Sequence, residues 1–214
     1  MRKLLLIIVL VPVLLNSRAQ SRHAKFDHLG IKDGLPERVI QFIFQDSQGY
    51  IWMGTQNGLL RYDGYKPKVY VFGIDKDAPA PNCSVETIAE DNNKNIWVST
   101  FALGLFMYDR SKDRFIQYKY PEQQGKKVAH VKYLKLVDNK NNLWGFSWNF
   151  EEQTHLDVFR TIPGSNHYET YANRKNSAGD VNFTDANSLC KTTNGHIWLG
   201  TSNGIYEYDN GGAK

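Results

Sequence analysis

The residues of this 214-residue chain able to do chemistry are 6 His, 22 Asp and Glu, and 2 Cys. Their spacing builds no familiar reactive motif: Cys-x-x-Cys, His-Glu-x-x-His, Walker-type Gly-Lys-Ser/Thr and Gly-x-Ser-x-Gly are all missing from the sequence. Glu151 and Glu152 are adjacent, so in a strand they would point to opposite faces instead of forming an acid–base pair. Trp148, Asn149 and His155, with Glu151 nearby, set an aromatic face beside polar groups, the combination that binds sugars on loops of a rigid scaffold. The competing reading of Trp148 is that it fills space in a distorted repeat. Asp46, Asp91 and Asp138 recur at one position and invite a metal-ligand reading. Turn carboxylates that accept from nearby backbone N–H groups explain them better, because the fourth copy has Thr192, a poor calcium ligand, at that position. The expectation is therefore no catalytic residue, no metal and no cofactor.

The elements that would position these residues emerge from an internal repeat. The clearest copy runs from Asp46 through Trp52, Gly58 and Tyr62 to Asp63, and the last from Thr192 through Trp198, Gly204 and Tyr208 to Asp209. Between them lie copies around Trp97 with Gly104, and around Trp144. The tryptophans are spaced 45, 47 and 54 residues apart, and Trp148 is the one Trp outside the repeat position. Each copy reads as four short strands: in the first, Val39 to Gln45, Tyr50 to Thr55, Leu59 to Tyr62, and Tyr65 to Phe72. Turns of the Asp-x-x-Gly and Asn-Gly kind separate them. A repeated four-stranded antiparallel unit of this length is the signature of a β-propeller blade, so the fold class is all-β. The repeated Trp would pack between blades, where its area counts most, and the repeated Gly would permit tight turns.

Composition sets the remaining bounds. The formal net charge is +4, but residues 1–19 carry Arg2, Lys3 and Arg18 and no acid. Without them 23 basic residues face 22 acidic ones, which argues against nucleic acid as a partner. Met1-Arg2-Lys3, the apolar run Leu4 to Leu15, and Ser17-Arg18-Ala19 form the pattern of a secretory signal peptide. Twelve residues of helix span only ~18 Å, short of a ~30 Å hydrocarbon core. The expectation is an exported, periplasmic chain. Cys83 and Cys190 fall in non-adjacent repeats and are expected as two free thiols.

The stretch Phe26-Asp-His-Leu-Gly-Ile-Lys-Asp33-Gly34-Leu35-Pro36, followed by Val39, Gln45-Asp46, Gly49-Tyr-Ile-Trp52-Met-Gly54-Thr55, Gly58-Leu59 and Arg61-Tyr62-Asp63-Gly64, resembles the start of a two-component regulator propeller. The resemblance covers about residues 24–209. It is specific in the first and fourth copies and weak in the third, where Gly145-Phe146-Ser147-Trp148-Asn149-Phe150 replaces the Gly-Thr-x-x-Gly stretch.

This resemblance implies the periplasmic sensor half of a hybrid two-component histidine kinase of the kind common in Bacteroidetes. Such receptors carry seven-bladed propellers, a β-sandwich, a membrane span and a kinase. They commonly sense oligosaccharides and work as dimers, so an oligosaccharide, the rest of the receptor and a second copy are the partners it implies. Kinase chemistry is not expected from this chain: none of its six histidines is followed by Asp or Glu, as a phospho-acceptor motif usually requires. The expected organisation is a signal peptide over 1–19 and a closing strand within 24–36. Blades then occupy 37–73, 83–120, 128–172 (degenerate) and 184–210 (incomplete), about four of a complete seven. Two other classes stand beside the sensor: a streptogramin-lyase-like propeller enzyme, which needs a His–Glu constellation in the central channel, and a scaffold that binds proteins through its faces.

Overall fold

The computed structural model describes residues 26–75, 78–79, 83–101, 103–118, 131–148, 156–161, 168–170, 175–176, 179–180, 188–201, 204–209 and 212–213. It is all-β, with four four-stranded antiparallel sheets in chain order. Sheet 1 holds β1 (Phe42–Gln45), β2 (Ile51–Gly54), β3 (Leu59–Tyr62) and β4 (Pro67–Tyr70). A hairpin of β5 (Gly73–Asp75) and β6 (Ala78–Pro79) comes next. Sheet 2 holds β7 (Val85–Glu90), β8 (Ile96–Thr100), β9 (Gly104–Asp109) and β10 (Arg114–Gln117). Sheet 3 holds β11 (Val131–Val137), β12 (Leu143–Trp148), β13 (Leu156–Thr161) and β14 (Tyr168–Thr170). A second hairpin pairs β15 (Lys175–Asn176) with β16 (Gly179–Asp180). Sheet 4 holds β17 (Ser188–Lys191), β18 (Ile197–Thr201), β19 (Gly204–Asp209) and β20 (Gly212–Ala213).

Each sheet is a simple meander, and its first strand lies next to the first strand of the neighbouring sheet: β1 by β7, β7 by β11, and β11 by β17. The blades share one orientation. The β2–β3 end of sheet 1 meets the start of sheet 2 through Val85 N–H donating to Thr55 O at 3.0 Å and Ser84 Oγ donating to Gln41 Oε1 at 2.7 Å. At the opposite end, Ser47 N and Oγ both donate to the Glu90 carboxylate.

Alternation decides which side chains fill the seams. On β2, Trp52 faces sheet 2 and Met53 faces away; on β8, Trp97 faces sheet 3 and Val98 faces back toward sheet 1. Trp52 packs edge-on against Tyr108 (5.2 Å) and Phe115 (5.9 Å) of sheet 2. Trp97 packs with Leu134 and Leu143 of sheet 3, and Trp144 with Ile197, Leu199 and Tyr208 of sheet 4. Burying about 200 Å² of Trp at about 25 cal/mol per Å² gives each seam about 5 kcal/mol from that one ring. The Gly58 turn brings backbone into close approach: a Cβ there would sit 2.6 Å from Tyr70 O, at φ +151.

Two local expectations differ from what is seen. The described part of 24–36 holds a 3₁₀ turn, Ile31–Asp33, in place of a closing strand. Gly34 is left-handed (φ +97), and the Asp33 carboxylate accepts from Gly30 N–H at 2.8 Å, which folds the chain back locally. Leu35 is then buried against Met53 and Leu60. The last blade, expected incomplete over 184–210, gains a fourth strand just beyond that bound, where β20 pairs with β19 through Tyr208–Ala213 and Asp209–Gly212.

Candidate functional site

The first site to build is the one the repeated acids make. Asp46 closes the β1–β2 turn: Oδ1 accepts from Gln48 N (2.9 Å) and Tyr50 N (3.0 Å), and Oδ2 from the indole Nε1 of Trp52 (2.9 Å). Asp91 repeats this with Asn93 N (2.8 Å), Asn95 N (2.9 Å) and Trp97 Nε1 (2.9 Å). Asp138 does so with Lys140 N (2.8 Å), Asn142 N (2.8 Å) and Trp144 Nε1 (2.8 Å). All three carboxylates are buried, and each is consumed by these donors. In sheet 4 the single oxygen of Thr192 is engaged with the backbone of His196. Among the described residues, no group of three or more His, Cys, Asp or Glu is arranged to hold a metal ion. The sequence pattern reveals the turn bonds but not the clasp on the indole, although its signal, an acid six residues before Trp52, Trp97 and Trp144, is present.

A second cluster crosses the seam between sheets 1 and 2 and has no counterpart in the sequence expectations. The Asp113 carboxylate accepts from Tyr70 Oη at 2.6 Å and from Tyr108 Oη and Lys68 Nζ, with Arg61 at 3.5 Å. Hydrogen bonding by Lys68, then by Tyr108 and Tyr70, holds the Asp113 carboxyl far below its usual range. Burial, reinforced by the bond to Asp113, pushes the Tyr70 phenol well above its usual range and raises that of Tyr108. Both phenols therefore stay protonated donors at neutral pH. They serve as a latch between blades and cannot act as bases there. Arg160 reaches Tyr208 Oη (3.2 Å) across the seam between sheets 3 and 4, as Arg61 reaches Tyr108 Oη (2.5 Å) across the first.

The sugar-binding candidates belong to the β12–β13 connection. Trp148 is the last residue of β12 and pairs in register with Leu156; Asn149 and His155 lie outside the described residues, as does Glu151. The equivalent connections of sheets 1 and 2 carry Asn57, whose Nδ2 donates to Glu37 Oε1 at 2.6 Å, and the exposed ring of Phe101. This end is opposite the clasped Asp turns. Among the described residues, His196 contacts Glu207 on sheet 4, and Glu207 pairs in register with Trp198. Of the repeat glycines, Gly58, Gly104 and Gly204 all have positive φ (+151, +79 and +129). Among the described residues no helix is long and apolar enough to cross a membrane. Cys83 is buried and Cys190 exposed, both free.

The comparisons with known proteins agree with this geometry. Residues 34–57, 79–102 and 180–203 match the two-component regulator propeller family, each match spanning the first two strands of a sheet. A histidine kinase of Formosa agariphila is 35% identical over 81 residues, covering 36% of this chain and 6% of the kinase. PorZ, a surface component of the type-IX secretion system of Porphyromonas gingivalis, superposes with a TM-score of 0.61 at 21% identity, covering 78% of this chain and 24% of PorZ. Virginiamycin B lyase of Staphylococcus aureus does so with a TM-score of 0.59 at 16% identity, covering 84% and 56%. This chain thus spans only a part of each relative, and the two structural likenesses carry the fold alone. The family match therefore falls on sheets 1, 2 and 4, whose first two strands each carry one copy of the two-component regulator propeller repeat.

Proposed function

We propose that this chain is the ligand-recognition part of an exported two-component sensor and that its ligand is an oligosaccharide. The family of its repeats is the observation that carries the sensor reading. The leader-like residues 1–19 support export to the periplasm. Trp148, Asn149 and His155 are the residues assigned to the sugar, on the end of the blades where the β2–β3-type connections gather. Recognition occurs without catalysis, and phosphotransfer belongs to the rest of the receptor. The blades suit this task because their seams are closed by buried rings and clasped acids. A ligand gripped at the connections then biases whole blades against the remainder of the receptor.

Calorimetric titration of the full chain with a panel of defined neutral and acidic oligosaccharides tests the reading. Saturable binding to one class, weakened at least tenfold by Trp148→Ala with an unchanged melting temperature, is the expected result. Turnover of a panel member would replace recognition with catalysis. Silence across the panel, with binding only to proteins, would replace it with a scaffold.

A further inference from the structure

In sheet 2, Phe101 stands four residues after Trp97, where β8 ends; in sheet 3, Trp148 stands four residues after Trp144, as the last residue of β12. Strand register agrees with this spacing. Thr100 pairs with Val85 and Ser147 with Val131, each at the start of its sheet's first strand, and the aromatic residue comes next. Phe101 and Trp148 thus hold the same position of two neighbouring blades. The first copy has Gln56 there and the fourth has Ser202, so both aromatic residues at this position belong to the adjacent sheets 2 and 3.

Sheet 2 is covered on one face by sheet 1, through Trp52, and on the other by sheet 3, against Trp97. Phe101 is nevertheless 45% exposed, at the connection end of the blade. Its backbone is fixed. Phe101 N–H donates to Ser84 O at 2.9 Å, which extends the β7–β8 ladder by one residue. Past it, Thr100 Oγ1 accepts from Leu103 N–H at 3.2 Å and donates to Gly104 O at 3.1 Å. Gln117 Nε2 donates to Leu103 O at 2.7 Å, and the Leu103 side chain packs on the core of the first seam. A turn closed in this way presents its ring in one place, which lowers the ordering cost of a stacking contact.

Hydroxyl and amide groups lie beside this backbone. Ser84, whose carbonyl receives Phe101 N–H, donates through Oγ to Gln41 Oε1 at 2.7 Å, a bridge from sheet 2 to sheet 1. Gln41 is exposed, and its Nε2 has no partner among the described residues. The amide N–H donors of Gln41 and the lone pairs of Ser84 Oγ suit the hydroxyls of a sugar unit. Neither group is charged, so the unit that fits is a neutral one.

We propose that Phe101 is a second stacking residue of the oligosaccharide site, holding a neutral sugar unit beside Gln41 and Ser84 while Trp148 holds another; this rests on the assignment of Trp148 to the sugar. Stacked sheets lie about 10 Å apart, farther than one sugar ring reaches. The ligand is therefore a chain of two or more units laid across sheets 2 and 3. A single sugar meets one ring at a time, whereas a chain that meets both makes its second contact as an intramolecular step.

Calorimetric titration of the full chain with neutral gluco-, manno- and xylo-oligosaccharides, graded from monosaccharide to hexasaccharide, tests this, with acidic oligosaccharides run beside them. Affinity for the neutral series should rise steeply with chain length. Phe101→Ala should weaken the longer chains about tenfold or more and flatten that rise, with an unchanged melting temperature. Phe101→Tyr, which keeps the stacking face, should retain the parent affinity. Binding that is lost in Trp148→Ala but indifferent to Phe101→Ala overturns the second stacking residue and leaves the first standing. Binding of acidic chains alone overturns the neutral subsite but not sugar recognition. Binding of neither series overturns both.

Discussion

Replacing Asp91 with Ala removes the central clasp of the blade stack. Its carboxylate receives four hydrogen bonds of 2.8–2.9 Å: Asn93 N, Asn95 N, Asn95 Nδ2 and Trp97 Nε1. The turn amides are part-buried and regain water at modest cost. The indole N–H cannot, because Trp97 is buried between sheets 2 and 3. Stranding that donor costs about 1–3 kcal/mol, and losing the turn bonds adds about 1 kcal/mol, so the expected loss is about 3 kcal/mol. In a domain of this size that lowers the melting temperature by about 6–12 °C. The assay is urea denaturation followed by far-ultraviolet circular dichroism, run as a cycle with Trp97→Phe. Phenylalanine has no N–H to strand, so Asp91→Ala should cost about 1–2 kcal/mol less on that background. Equal costs on both backgrounds, within about 0.5 kcal/mol, would refute the clasp as the reason for the buried acid.

Three further outcomes are expected from the same structure. Asp113→Asn should lower the melting temperature by a few degrees at pH 7 and flatten its acid dependence. The native carboxyl is depressed below its ordinary 3.8, so its contribution is complete above that value and lost as pH falls below it; partial exposure of the side chain keeps the effect small. Melts at pH 7 and at about pH 3 check this. Gly58→Ala drives a Cβ to 2.6 Å from Tyr70 O and should cost about 2–3 kcal/mol, whereas Gly49→Ala, with open space at its Cβ, should cost about 1 kcal/mol; parallel urea melts compare them. A thiol-reactive dye should label Cys190 in the native chain and Cys83 only after denaturation, since burial both shields Cys83 and pushes its thiol pKa up.

The features legible in the sequence are those that repeat along it. The Trp register, the Asp turns and the Asn-Gly hairpin are local, so Trp52, Trp97 and Trp144 can be placed from pattern alone. The indole clasp is hidden because a turn acid and a strand ring six residues apart look unrelated until the strand folds back over its turn. The Asp113 latch is hidden for a different reason: Lys68 and Tyr70 are more than forty residues away, and only the stacking of sheets brings them together. At the amino end, Asp33-Gly34 belongs to a 3₁₀ turn that an apolar–polar alternation does not reveal.

Hydrogen exchange with mass spectrometry, in the presence and absence of an oligosaccharide panel, tests recognition at the connection end most directly. The account predicts new protection in peptides covering 55–58, 101–103 and 149–155, with the clasped turns at 46–49, 91–94 and 138–141 unchanged. Protection confined to those turns, or no protection with any panel member, would contradict it.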